Sequence, residues 1–130
     1  MVNELSKILS SNSKEDVLMG DILRVLLLFK RLWSWEIASE VSALRLTLGE
    51  EPVDIKEVKR ALNKLKKKSL IDVEECFRSD PAGRSVKDLL VSLNLDATST
   101  QQLYTDKRLI QYQEKRYQIF SSMNTKYSRS

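Results

Sequence analysis

The residues best suited to chemistry in this sequence are seven basic side chains within residues 56–68. They are Lys56, Lys59, Arg60, Lys64, Lys66, Lys67 and Lys68. Glu57 is the only acidic residue among them, so the segment carries a charge of +6, more than the +4 of the whole chain. A cluster of this kind favours an anionic partner, because clustered charges create a stronger local field than scattered ones.

The spacing of these residues predicts a helix that separates them from apolar neighbours. At about 100° per residue, the apolar side contains Ile55, Val58, Ala61, Leu62 and Leu65, and the polar side contains Lys56, Arg60, Asn63 and Lys67. Asp54 and Glu57 have the spacing of a capping box at its start. We therefore predict an amphipathic helix over residues 54–68. A lysine-rich helix face is also typical of a surface that is merely solvated.

Other patterns on both sides of this segment predict the elements that must position it. A broad apolar stripe predicts a helix over residues 15–32, and residues 34–48 predict a second one that is capped by Ser34 and ends at Gly49. After the basic helix we predict a strand over residues 70–77, a short helix over 85–93, a helix over 101–113 and a strand over 116–120.

Composition argues against several classes of protein. The chain has no histidine, only three isolated glycines and no recognisable nucleophile motif, so we expect neither an enzyme nor a cofactor. The single cysteine, Cys76, excludes an internal disulfide and a cysteine-rich metal site. The longest apolar run, residues 25–29, is far too short to cross a membrane, and residues 1–13 lack the pattern of a secretory signal. We expect a cytoplasmic protein.

The sequence of residues 57–71, EVKRALNKLKKKSLI, resembles the recognition helix and first wing strand of winged helix-turn-helix proteins. The resemblance extends over residues 17–77, with Ser69 at a position where the family usually has glycine, and residues 116–120 would be a second wing strand. It implies a mainly α fold with a small β-wing, namely a winged helix-turn-helix with extra helices. Its parts would be an amphipathic extension (1–13), the winged domain (14–120) with a helical insertion around 85–112, and a flexible basic tail (121–130).

The resemblance implies that the protein binds duplex DNA through the basic helix and regulates transcription. Its candidate DNA-binding residues are Lys56, Lys59, Arg60, Asn63, Lys64, Lys66, Lys67, Lys115 and Arg116. Among these, Lys56, Arg60 and Asn63 have the chemistry to contact base edges, whereas the other lysines would neutralise phosphates. The protein would act as a homodimer, through the apolar helix over residues 15–32 or through the flanking helices.

Acidic residues near the basic helix keep an alternative function open. Residues 34–55 carry five acidic side chains against Arg45, and Asp72, Glu74 and Glu75 follow on the predicted strand. Negative charge beside a DNA-binding helix repels phosphate. The alternative is a winged-helix module for protein–protein interactions in a transcription complex or another assembly, whose basic helix meets an acidic partner surface. The region of Lys115 and Arg116 fits solvated surface equally well.

Overall fold

The computed structural model describes the backbone of residues 3–128 and the side chains of residues 3–122. Its helices are α1 (Glu4–Ser10), α2 (Lys14–Phe29), α3 (Ser34–Thr47), α4 (Ile55–Lys67), α5 (Ala97–Tyr104) and α6 (Lys107–Ser128), and its strands are β1 (Arg31–Trp33), β2 (Ile71–Ser79) and β3 (Ser85–Leu93). The strands form one antiparallel sheet in the order β1-β3-β2. This is the predicted mainly α architecture with a small β-wing.

Helix α2 is the centre of the hydrophobic core. Every residue from Leu18 to Leu27 is buried, and α1, α3, α4 and α5 all pack against this helix. The dimer surface predicted on α2 is therefore wrong, since its apolar side chains are buried within one chain. Helix α1 is amphipathic as predicted, and it docks on its own domain through the buried Leu5 and Ile8.

The connection from α2 to α3 contains a strand that the sequence pattern missed. Helix α2 ends at Phe29 and not at residue 32, because Lys30 adopts a positive φ of 68° and turns the chain into β1. Trp33, and not Ser34, is the N-cap of α3, and its backbone N–H donates to the Glu36 carboxylate at 2.9 Å. The Ser34 hydroxyl instead donates to Asp88 on β3.

The wing is the β2–β3 hairpin, in which Ile71 pairs with Leu93 and Ser79 with Ser85. The helix predicted over residues 85–93 is therefore wrong: its apolar residues have helical spacing, but they pair in strand register with β2 and β1. The second wing strand predicted over residues 116–120 is also wrong, because these residues continue α6. The 85–112 region thus contains β3 and α5 before α6 begins.

The single helix predicted over residues 101–113 is wrong, because the chain breaks at residues 105–106 between α5 and α6. Helix α6 then continues to Ser128. Residues 121–128, predicted as a flexible tail, are helical in backbone, and residues 129–130 of that prediction lie outside the described residues. Leu109 and Tyr112 anchor the start of α6 in the core. Among residues 3–128, no helix is long and apolar enough to cross a membrane.

A buried ionic cluster fastens α6 to α2 and α3. Its six members are Asp21, Arg24, Arg45, Glu50, Asp106 and Arg108. The Asp21 carboxylate is fully buried and accepts from Arg24 at 2.8 Å, Arg45 at 3.2 Å and Arg108 at 2.7 and 3.0 Å. Three carboxylates face three guanidinium groups, so the cluster has no net charge, with Glu50 at its exposed edge. Local neutrality is the condition for tolerating ions in a core.

Two acidic residues of the cluster, Asp106 and Glu50, are held in their charged form. Burial acts to raise the pKa of Asp106, but hydrogen bonds from Arg24 and from the Leu109 backbone outweigh it, so this pKa lies below its ordinary value. The hydrogen bonds from Arg108 likewise lower the pKa of Glu50. Both acids are therefore ionised at neutral pH and keep the arginines paired.

Candidate nucleic-acid interface

Helix α4 forms as predicted, because its apolar and basic residues separate cleanly. Val58, Ala61, Leu62 and Leu65 are buried between α2, α3 and β2. Ile55, predicted on the buried side, is 38% exposed because it lies at the open first turn. The Asp54 side chain accepts from the backbone N–H of Lys56 at 2.6 Å and of Glu57 at 3.4 Å, so this residue caps the helix.

The opposite side of α4, which we call the basic face, is fully open. It contains Lys56, Lys59, Arg60, Asn63, Lys64, Lys66 and Lys67, and all seven side chains are exposed. Lys64 pairs with Glu15 of α2, and Lys68 at the end of the helix pairs with Glu4 of α1 at 3.0 Å. Within the described part of the chain, no ion pair engages the remaining five cations of the basic face.

A groove of about 660 Å³ separates the basic face from the wing. Lys59, Arg60, Asn63 and Lys66 line its α4 wall, and Lys87 of β3 lines the wall formed by the wing. Positive side chains therefore lie on both walls of an open channel, and the wall formed by the wing also carries Glu75 and Asp88. Such an arrangement favours an extended anionic ligand that is wide enough to touch both walls.

A second groove, of about 610 Å³, runs along the other flank of α4 beside the start of α2. Arg60 and Asn63 line this groove as well as the first one, and Lys67 joins them here. Arg60 and Asn63 thus occupy the ridge of the basic face, while Lys66 and Lys67 occupy its two flanks. In this arrangement the side chains of the ridge can contact base edges, while the cations on the two flanks contact the phosphates of the two DNA strands.

Two acidic residues of β2, Asp72 and Glu74, lie on the face of the wing that points away from the groove. Paired residues of adjacent strands share a face of the sheet, so Val73, Glu75 and Phe77 lie on the same face as the buried Val91. Asp72 and Glu74 alternate onto the opposite face, where Glu74 pairs with Arg31. Their predicted repulsion of a ligand in the groove is therefore weak.

Two further wing acids are bound to positive groups of the wing itself. Glu75 pairs with Lys87 at 3.0 Å, and Asp88 accepts from Arg78 at 2.8 Å. Partial burial acts to raise the pKa of Asp88, but the hydrogen bonds from Arg78 and Ser34 outweigh it and lower this pKa. Asp88 therefore remains charged, and its charge is balanced locally by Arg78.

Lys115 and Arg116 do not belong to the wing, although the sequence pattern placed them beside it. Both lie on α6. Lys115 lines a separate groove with Glu50, Arg108 and Glu114, and the Arg116 guanidinium lies 6.0 Å from the centres of the Phe29 and Tyr112 rings. The candidate interface therefore consists of the seven residues of the basic face together with Lys87. The sequence pattern did not identify Lys87, because it predicted a helix where β3 lies.

The architecture resembles solved structures of DNA complexes. Bacillus subtilis PadR in complex with operator DNA is 21% identical, with a TM-score of 0.50 over 68% of this chain and 45% of that one. The Aeropyrum pernix ORC1 protein in complex with DNA is 18% identical, with a TM-score of 0.54 over 82% of this chain and 28% of that one. No protein-family model and no curated protein matches the sequence.

These similarities establish the fold of the chain. At about one identical residue in five, they show a winged helix-turn-helix, in which α3 and α4 are the two helices of the motif and β2–β3 is the wing. The chain spans less than half the length of either compared protein. The predicted fold is thereby confirmed, with a wing built from β2 and β3.

Proposed function

We propose that this winged-helix protein binds duplex DNA and regulates transcription, with α4 in the major groove. The observation that carries the proposal is the basic face of α4, where five exposed cations have no ion-pair partner in the described part of the chain. Three of them, Lys59, Arg60 and Lys66, line the groove whose far wall contains Lys87. Both compared structures are complexes with DNA, which supports the same assignment by analogy of fold. A cytoplasmic location, predicted from the sequence, remains part of this proposal.

Each group on the basic face has a distinct role in the proposal. Lys59 and Lys66 contact the phosphates of the strand that passes through the groove beside the wing, together with Lys87. Arg60 and Asn63, on the ridge, contact base edges, and their donors and acceptors suit guanine and adenine respectively. Lys56 and Lys67 extend the face at its two ends. Lys64 and Lys87 contribute less than the other cations, because Glu15 and Glu75 already neutralise them.

We further propose that the active form is a homodimer joined through α6. Ile110, Tyr117 and Phe120 lie on one side of this helix at helical spacing, with exposures of 39, 72 and 64%. Exposed apolar side chains on one side of a helix favour self-association, and a two-fold dimer matches the symmetry of paired DNA half-sites. Sedimentation should give a dimer that Tyr117→Glu dissociates. If the wild-type protein is a monomer at tens of micromolar, the homodimer proposal is rejected.

Direct titration tests the DNA assignment. Fluorescence anisotropy of a labelled duplex should report binding whose log Kobs falls linearly with log salt, with a slope near −4 if roughly four to five phosphates are neutralised. Because α4 lies next to the bases, Arg60→Ala should also reduce discrimination between duplexes of different sequence. Absence of any salt-dependent binding at low ionic strength would reject the proposal.

An acidic protein partner is the second candidate, and one contact favours it. Lys64 and Lys68 already bind carboxylates of the same chain, from Glu15 and Glu4, which shows that this end of α4 accepts carboxylate ligands. An acidic helix of a partner could occupy the same position. If duplex DNA fails to bind, the experiment to perform is a direct titration of an acidic peptide against the basic face.

A further inference from the structure

An aromatic side chain is exposed on the wing where the fold does not need one. Phe77 of β2 is 72% exposed, and it lies directly opposite Lys87 of β3, on the same face of the hairpin as Glu75 and Val73. Those neighbours line the groove between the wing and α4. The ring therefore stands beyond the outer end of this groove, next to cations that our proposed function assigns to phosphates.

The end of the wing is built to hold its shape. The Asp80 carboxylate accepts from the backbone N–H of Ala82 at 3.0 Å and of Arg84 at 2.8 Å, and also from the Arg84 side chain at 2.9 Å. Gly83 supplies the positive φ of 82° that the turn requires. Because the turn is fixed by these bonds, the hairpin presents Phe77 in one place and loses little freedom on binding.

From this geometry we infer that Phe77 is a minor-groove wedge, whose ring enters between two base pairs of the bound duplex and bends it. The inference rests on the proposed function. With α4 in the major groove, the wing reaches the adjacent minor groove, where an exposed apolar ring beside Lys87 can enter the base stack while the cations of α4 hold the backbone. Pyrimidine–purine steps, which unstack most readily, would be preferred at that position.

A wedge and a phosphate contact predict different effects of a mutation on the affinity and on the salt dependence of duplex binding. Phe77→Ala removes no charge, so the salt slope of duplex binding should stay at the wild-type value while the affinity falls about tenfold. The bend, measured by energy transfer between dyes at the two ends of the duplex, should decrease to that of free DNA. Phe77→Leu, which keeps an apolar wedge, should retain most of the bend.

Controls separate failure of the wedge from failure of the proposed function. Tyr104→Ala on α5 removes an aromatic ring of 53% exposure that is remote from the wing, and it should leave affinity and bend unchanged. Thermal unfolding should show that Phe77→Ala is as stable as wild type. If this variant bends DNA as wild type does, the wedge is rejected and DNA binding stands. If wild type itself shows no salt-dependent binding, the function is rejected and the wedge with it.

Discussion

The basic face of α4 and the buried cluster around Asp21 use the same kind of charge in opposite ways. On α4, six cations point to solvent and only Lys64 among them has an ion-pair partner in the described chain. In the cluster, Arg24, Arg45 and Arg108 meet three carboxylates. Cations that hold the fold together are buried and neutralised, and those available to a ligand are exposed and mostly unpaired.

The residue types of the two regions follow from this difference. The basic face is made of lysines with a single arginine, whereas every cation of the cluster is an arginine. A guanidinium offers several donors in a fixed plane, so it can satisfy two carboxylates at once without water, as Arg108 does with Asp21 and Glu50. An ammonium group keeps more of its hydration and suits an exposed surface.

Removing the central carboxylate should produce the largest effect on stability. Asp21→Asn leaves buried arginines without their shared anion, and we expect a loss of about 3–5 kcal/mol in the free energy of unfolding. Urea denaturation measures it. The matched control is Glu15→Gln, which breaks the exposed pair with Lys64 and should cost less than about 1 kcal/mol. Equal losses in the two variants would contradict the claim that the buried cluster stabilises the fold more than the exposed ion pair does.

A methyl group beside the cluster should give the next largest effect. A Cβ on Gly20 would lie 2.8 Å from the Arg24 guanidinium, which is buried and fixed by Asp21 and Asp106. Overpacking costs about 1–3 kcal/mol, against a gain of about 1 kcal/mol in helix propensity. Gly20→Ala should therefore lower the unfolding free energy by up to about 2 kcal/mol. An increase would mean that the cluster is easily displaced.

Acid should weaken the cluster, because its stability depends on ionised carboxylates. Since the pKa values of Asp106 and Glu50 are lowered in the folded chain, their stabilisation is present above the unfolded values near 3.8 and 4.5 and is lost as pH falls through the folded values. Urea denaturation from pH 6 to pH 3 should show this decline. In Asp106→Asn the decline should be shallower; an unchanged profile would exclude Asp106 as a contributor.

The smallest effect is expected where α4 meets the wing. Ser69 adopts a φ of +60°, at the position where the resembled family usually has glycine. A left-handed residue with a side chain is strained, so Ser69→Gly should raise the unfolding free energy by roughly 0.5–1 kcal/mol. Its DNA affinity should stay at the wild-type value because no charge of the basic face changes. A stability loss would show that the serine side chain contributes contacts that outweigh the strain.

The parts of the molecule that could be predicted are those in which side-chain pattern and fold agree. The alternation of apolar and basic residues defined α4 correctly. Residues 85–93 were wrongly predicted as a helix, because their apolar side chains have helical spacing, namely Val86, Leu89, Leu90 and Leu93. They form a strand because they pair with β1 and β2. Local pattern contains no information about a partner strand. With β3 assigned as helix, the wing and its Lys87 and Phe77 could not be placed.

The buried cluster was missed for a different physical reason. Charged residues are usually exposed, so Asp21 and Arg24 within an apolar helix suggested no particular role. Their burial depends on Asp106 and Arg108, more than eighty residues away along the chain. A small residue next to a charge in an apolar stretch, as in Gly20-Asp21, is a local signal from which close packing at that position could have been predicted.

The salt dependence of duplex binding by two charge-matched double variants tests the central claim most directly. Lys59→Gln with Lys66→Gln removes two charges from the basic face, and Lys107→Gln with Lys115→Gln removes two from α6. The first pair should flatten the slope of log Kobs against log salt by about two units for each bound chain, and the second should leave it at the wild-type value. Equal changes in both would show that net charge alone governs binding, which would contradict the assignment of α4 as the DNA-binding helix.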